Sequence, residues 1–387
     1  MELDILQPIR LSIGILKLFG LWRLDNKYNS FYRIYTYFLH FITTFLTTTL
    51  MWTSVFKAKN FEEFTEPLYM ALTMFGLSVK VINILNLNKL VVNFLKQLED
   101  DQHFRVKNPE ELKILKKSLR ILYGVVVFYT SAAFAIIVFG FSVAAYGKER
   151  VLVYPAWMPF DYQCNSKNYM LAYFHQLVGM VVACLANTSL DMLQCYLLHS
   201  VSLIYLIVGH RLTALGKDLN NFSNNFEVNK IILDDLRDII KVHNLAKKLT
   251  VDCERFLSKP IFTQILLSAF VLCFTGYRLT FMSFRDNPGR FIIMMDYLFV
   301  ISLQIYLPCH YGNQVTIEAG KLSAALYTSN WTYFPMKSKK IICLYMELLK
   351  EPISVKAGGF FQIGIPTFGK TLNNAYSFFA VLIRMKS

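Results

Sequence analysis

The final stretch of the chain, PISVKAGGFFQIGIPTFGKTLNNAYSFFAVLIRMKS over residues 352–387, spaces its side chains so that a single helix would carry two different faces. Leu372, Ala375, Phe379 and Leu382 recur at steps of three and four, while Lys370, Asn374, Ser377, Val381 and Arg384 follow the same steps on another side. A segment long enough to cross a bilayer has use for a polar face only where it borders protein or water. The chemistry open to such a helix is conduction, as the lining of a hydrated path through a membrane. The alternative is a tail helix whose polar ends snorkel to the interface.

Other reactive groups are arranged for nothing more specific. The histidines His40, His103, His175, His199, His210, His243 and His310 form no HExxH or similar ligand spacing, and neither a P-loop nor a GxGxxG occurs. Gly358-Gly359 reads as a flexible joint before the last helix rather than a phosphate cradle. Of the seven cysteines only Cys164 falls in an external loop, so no internal disulfide staples an ectodomain. No catalytic residue, metal site or cofactor is expected. The sequons at Asn187, Asn221 and Asn330 fall in the membrane or the cytosol, where glycosylation is not expected.

The elements that must position the last helix follow from composition. At 55% hydrophobic and 17% charged, the chain is far more apolar than a soluble domain of its length, which places it in a membrane. The net charge of +14 lies in loops between apolar spans, and no nucleic-acid motif accompanies it, so lipid rather than RNA or DNA is the expected surface partner. Spans that suit a hydrocarbon core about 30 Å thick fall near 35–56, 68–87, 121–145, 261–284, 291–311 and 367–383. The region 169–209 is twice too long for one crossing, yet no Gly or Pro lies between Gly179 and Gly209 to turn it. It is either two short spans with a turn near Asn187-Thr188-Ser189 or one span continuing into the cytosol, and splitting it would move the nine basic residues of 211–260 outside and spoil the charge asymmetry.

Charge asymmetry fixes the orientation. With seven spans, 27 of the 40 Lys and Arg residues fall on the side of the amino terminus and 9 on the other, which puts the amino terminus in the cytosol and the carboxyl terminus outside. The fold class expected is therefore an all-α membrane protein with seven transmembrane helices, a cytoplasmic N-terminus, an extracellular C-terminus and a cytoplasmic helical anchor region. Its functional halves are residues 1–312, with the amphipathic N-terminal segment at the membrane surface and six spans, and 313–387, with anchor helices and the last span. Within 211–260, Ile231, Leu236, Ile239, Ile240, Val242 and Leu245 form a helical stripe that would serve either subunit contact or packing within one chain.

Lys80, His175, Gln176, Asp191, Arg278, Asp296 and Gln304 sit in apolar spans, where each needs a partner or water. Around them the outer halves of the second, third, fourth and sixth spans carry Tyr69, Phe75, Tyr129, Phe134, Tyr173, Met180, Met295 and Tyr297. A cavity lined this way would bind a small apolar molecule by burying its surface, with a Tyr hydroxyl or Gln amide setting its orientation. The alternative is aromatic packing between helices.

Several of these runs resemble the insect odorant receptor family. The resemblance is carried by Lys356 to Phe360 (KAGGF), Pro366 to Phe368 (PTF) and Ala375 to Leu382 (AYSFFAVL). Tyr327, Trp331 and Glu351-Pro352 match the family's cytoplasmic stretch, and Trp157, Pro159, Phe160 and Asp161 its second external loop. It implies a ligand-gated, non-selective cation channel of four subunits, opened by small volatile hydrophobic molecules in the plasma membrane of a sensory-neuron dendrite. The pore face would include Ser377, with hydrophobic gate positions at Val381 and Met385 and Arg384 between them. The compact 211–260 region, much shorter than that of the shared coreceptor, marks a ligand-tuning subunit that works with the coreceptor in a heterotetramer. Arg384 departs from the pattern, since four such charges at a pore mouth would repel cations. A G-protein-coupled receptor would need the opposite orientation, and a secondary transporter would show repeated halves, which are absent.

Overall fold

A computed structural model of the protein describes residues 4–22, 30–100, 106–146, 152–162, 165–217, 226–285 and 288–384. His103, Cys164, Asn221 and the expected gate residue Met385 lie outside the described residues. The chain is almost entirely helical. A short α1 (Arg10–Leu18) precedes a composite span of α2 (Ser30–His40), a π-helical turn (Phe41–Leu46) and α3 (Thr47–Lys57). Then come α4 (Phe61–Asp100), α5 (Pro109–Tyr146), α6 (Ser166–Ala214), α7 (Phe226–Leu279), α8 (Pro288–Gly320), α9 (Leu322–Tyr327), α10 (Met336–Leu348) and α11 (Ile365–Arg384).

Helices α4 to α8 are each long and apolar enough to cross a membrane. The composite first span and the 20-residue α11, whose polar face lowers its hydropathy, complete seven. Region 169–209 is one uninterrupted helix, as the missing turn residues require. At 49 residues, α6 runs roughly 70 Å, so its carboxyl-terminal half projects beyond the hydrocarbon. Every residue from 188 to 205 is buried, which makes α6 the axis around which the other helices pack. Helix α8 passes without a break through positions 312 and 313, so the expected boundary between the two halves falls inside one continuous helix.

The cytoplasmic end is built from extensions of the membrane helices. Arg211 on α6 grips Glu111 on α5 through two hydrogen bonds, Nε to Oε1 at 2.9 Å and Nη2 to Oε2 at 3.1 Å. Burial pushes the Glu111 carboxyl up, but Arg211 and the Lys107 N–H outweigh it and hold the group below its usual value. Leu236, Ile239 and Val242 of the expected stripe are buried within the protomer, so that face packs internally. Apolar residues left exposed on α10 include Leu344, at 69%, and Leu348, at 61%.

The amino-terminal segment packs one side on protein, with Ile9 and Leu16 fully buried and Tyr196 on α6 donating to the Ile5 carbonyl at 3.1 Å, and leaves Leu11 and Leu18 exposed. One expectation changes. Gly358-Gly359 is a fixed turn rather than a flexible joint. Strands β1 (Lys356–Ala357) and β2 (Phe361–Gln362) pair antiparallel across it, and both glycines have positive φ, 62° and 75°. The turn is clamped to α7, because the Gly358 N–H donates to Ser258 Oγ at 2.9 Å and the Lys356 N–H to Glu254 Oε2 at 3.2 Å. The clip sets where α11 starts.

A Cβ at Gly358 would lie 2.6 Å from the Phe262 ring, whereas one at Gly359 meets nothing within 4 Å. Gly359→Ala should therefore cost only the left-handed backbone penalty, roughly 1–2 kcal/mol. Gly358→Ala should cost clearly more, read as a lower melting temperature of the detergent-solubilised protein. Equal losses would show that the contact with Phe262 is unimportant.

Candidate functional site

Because the middle of α6 is buried on all sides, a charge there survives only if neighbouring helices supply its partners. Asp191 is that charge. Its Oδ1 accepts from Lys80 on α4, and its Oδ2 accepts from Gln304 Nε2 on α8 at 2.9 Å and from the Tyr129 hydroxyl on α5 at 3.2 Å. Lys80 also donates to Asn187 Oδ1 at 2.9 Å, one helical turn from Asp191. Both ion-pair side chains are 3% exposed. Helix α7 joins through Gln264, whose Nε2 donates to the Gln304 carbonyl at 2.5 Å. Five helices thus meet at one polar node.

Directly outward of the node lies a cavity of about 80 Å3. Tyr129, Asn187, Thr188 and Gln304 form its floor, and all but Thr188 bond directly to the ion pair. Met70, Met74, Ile137, Met180 and Ile301 line its sides, and Tyr154 reaches in from the external loop as its roof. An apolar cavity that holds benzene measures about 150 Å3, so a ligand of that size must displace side chains here. Three lining methionines can move at small cost.

Of the residues expected to bind ligand, the structure brings Tyr129, Met180 and Tyr297 to this cavity. Tyr69 stands behind Tyr297 in an edge-on contact at 5.3 Å. Tyr173 lies above, donating to the Phe141 carbonyl at 3.0 Å. Phe75, Phe134 and Met295 point outward from the bundle instead. Each sits one or two residues from a lining position, Thr73, Ala133 or Tyr297, and a step of one or two turns a helical side chain away. Met295 lines a separate surface groove between α5 and α8 with Phe139, Phe291 and Asp296. Sequence reading missed Thr73, Thr188 and Tyr154. Thr73 and Thr188 carry a signal in helical phase, four residues before Leu77 and after Cys184, but Tyr154 carries none, since its burial arises from the fold of a loop.

Two of the other intramembrane polar residues have structural partners. Gln176 clamps the backbone of Tyr154, and Arg278 pairs with Glu66 at 3.0 Å. Among the described residues, no three His, Cys, Asp or Glu side chains are grouped to hold a metal.

Helix α11 buries Thr371 and Ala375 and stacks Phe378 on Phe270 of α7 at 5.2 Å. Phe379 covers Gly276 of α7. Lys370, Asn374, Ser377, Val381 and Arg384 are all exposed on the surface of the single chain, Val381 by 55%. The polar face is therefore turned away from the protomer's own bundle.

The family model described as 7tm Odorant receptor matches residues 60–376. Odorant receptor 94a of Drosophila melanogaster is 34% identical over 99% of both chains, and Odorant receptor 2a of the same species is 24% identical over 96% of this chain and 94% of its own. The fold matches the structure of the insect olfactory receptor OR5 from Machilis hrabei in complex with eugenol, with a TM-score of 0.82 at 17% identity over 98% of each chain. The structure of that receptor without the compound in its description matches at 0.81.

The node makes a stability prediction. Lys80→Met or Asp191→Leu alone leaves an unpaired charge in the bundle and should cost about 3–5 kcal/mol, whereas the double substitution should recover most of the loss. Thermal unfolding of the three purified variants checks this. A double variant no more stable than the singles would deny that the two charges are partners.

Proposed function

The chain belongs to the 7tm odorant receptor family, and from that premise we propose that it is the ligand-tuning subunit of a ligand-gated, non-selective cation channel. A small volatile hydrophobic molecule occupies the cavity between α4, α5, α6 and α8. The subunit assembles with the odorant coreceptor into a heterotetramer in the plasma membrane of a sensory-neuron dendrite. Residues 1–312 sense the ligand, and residues 313–387 assemble the channel and line its pore. The family is one of receptors, and neither the G-protein-coupled nor the transporter alternative is retained.

The observation that carries this reading is the double duty of Gln304. Its side chain is part of the cavity floor, and its backbone carbonyl holds Gln264 of α7, the helix on which α11 rides. A ligand larger than the resting cavity must spread the walls at Met70, Met74 and Met180. Such a ligand binds the spread arrangement more tightly and so shifts the population toward it. Displacement of α8 against α7 is then passed to α11 and moves Val381 away from the pore axis. The exposed polar face of α11 and the bare apolar residues of α10 support a channel completed by other subunits.

Arg384 fits the same scheme if copies of this chain are few in each tetramer, because the coreceptor subunits then dilute its charge at the outer mouth.

Coexpression with a coreceptor should give volatile-evoked cation current, while the chain alone should give none. Homomeric currents of equal size would overturn the tuning-subunit role. In the coexpressed channel, Val381→Trp should reduce single-channel conductance or alter basal leak severalfold. Unchanged conductance and leak would remove Val381 from the gate.

A further inference from the structure

The hydrogen-bond donors of the cavity wall can be followed one by one. Tyr129 donates to Asp191 Oδ2. Thr73 donates to the Tyr69 carbonyl at 2.9 Å, so the 2.6 Å contact between Thr73 and Tyr297 uses the tyrosine's hydrogen. Thr188 donates to the Cys184 carbonyl at 3.0 Å, and Cys184 Sγ to that of Ala133 at 3.4 Å. Gln304 uses one amide hydrogen on Asp191, and its second amide hydrogen and the Asn187 amide lie at the floor beside the ion pair. Among the described residues, Tyr154 is the one lining hydroxyl for which the protein supplies no acceptor, although the residue is only 5% exposed.

Tyr154 is also held rigidly. Its backbone N–H donates to Gln176 Oε1 at 3.4 Å, and its carbonyl accepts from Gln176 Nε2 at 2.8 Å, with Gln176 itself buried. Its ring meets the edge of Phe141 at 6.2 Å. Three residues on, the Trp157 N–H donates to the Leu50 carbonyl at 3.3 Å, and Lys57 Nζ sits 3.8 Å over the Trp157 ring. The loop is fastened to α6 on one side and to α3 on the other. A hydroxyl fixed in place and left without a protein acceptor, at the end of the cavity opposite its polar floor, is a recognition element, because a ligand that meets it gains a hydrogen bond without an ordering cost.

Resting on the receptor reading above, we infer that Tyr154 is a specificity-determining residue of the cavity. Its hydroxyl donates to an acceptor oxygen on the ligand. The cavity accordingly favours small, mostly apolar molecules that carry a carbonyl, ester or ether oxygen over hydrocarbons of the same shape. The oxygen lies at the outer end, toward the loop, and the apolar body lies among Met70, Met74 and Met180.

The test uses acetophenone and α-methylstyrene, which differ by a carbonyl oxygen against a methylene. In the channel coexpressed with coreceptor, the wild type should respond to acetophenone at about tenfold lower concentration, the scale of one neutral hydrogen bond. Tyr154→Phe, which keeps the ring and its contact with Phe141, should lose that preference by losing sensitivity to acetophenone alone. Tyr154→Ala should impair both compounds through lost packing. A preference unchanged in Tyr154→Phe, or a wild type that prefers α-methylstyrene or responds to neither while other volatiles open the channel, overturns the inference. A parallel thermal-shift measurement on the purified chain separates the two claims. Stabilisation by acetophenone in the wild type but not in Tyr154→Phe, without current from any coexpressed pair, upholds the site and overturns the channel reading. Equal stabilisation of the two overturns the site.

Discussion

A single buried ion pair, Lys80 with Asp191, sets the terms for the rest of the structure. Two charges taken from water into a helical bundle are costly, and attraction between them compensates only when every remaining lone pair and hydrogen is met. Here Tyr129 and Gln304 complete the carboxylate, and Asn187 shares the ammonium. Each of these groups comes from a fixed turn of its helix. A slip of one residue on α4, α5, α6 or α8 would swing a partner by about 100° and leave a charge bare. The node therefore fixes the register of four helices, and the cavity above it inherits its shape from that register.

Mechanical continuity runs from this node to the membrane's inner face and back. Helix α7, 54 residues long, links the cytoplasmic bundle to the level of the node and carries α11 along its outer half. The hairpin at Gly358-Gly359 pins the inner end of α11 to α7, while Gly312 lets Ile363 approach α8, since a Cβ there would fall 2.5 Å from the Ile363 carbonyl oxygen. The inner end of α11 is thus tethered to two helices. Toward the outer end, Phe378 and Phe379 rest on Phe270 and Gly276 of α7.

Much of this was legible in the sequence, and the limits have physical causes. The unbroken α6 followed from the charge asymmetry together with the absence of Gly and Pro between 179 and 209, and the two faces of α11 followed from spacing alone. Buried polar residues such as Asp191 and Gln304 were visible because hydrocarbon makes them conspicuous. Their pairing was not, because it depends on how helices rotate against one another. The same rotation decides that Tyr297 faces inward and Met295 outward. Tyr154 lies in a loop with no periodicity, and side chains distant in the chain, Gln176 among them, bring it to the cavity. Gly358 looked permissive because the Phe262 ring that confines it is 96 residues away in the chain.

The uncovered face of α11 bears on biogenesis as well as on gating. A solitary copy in the bilayer would set Asn373, Asn374 and Ser377 against acyl chains, which offer no hydrogen bonds in return. Lipid is thus a poor solvent for the orphan protomer, and the surrounding hydrocarbon itself drives it toward companions. On the proposed channel reading, the side that admits ions would serve first as the adhesive of the oligomer, so that an unassembled copy would advertise its incompleteness to the membrane in which it was made.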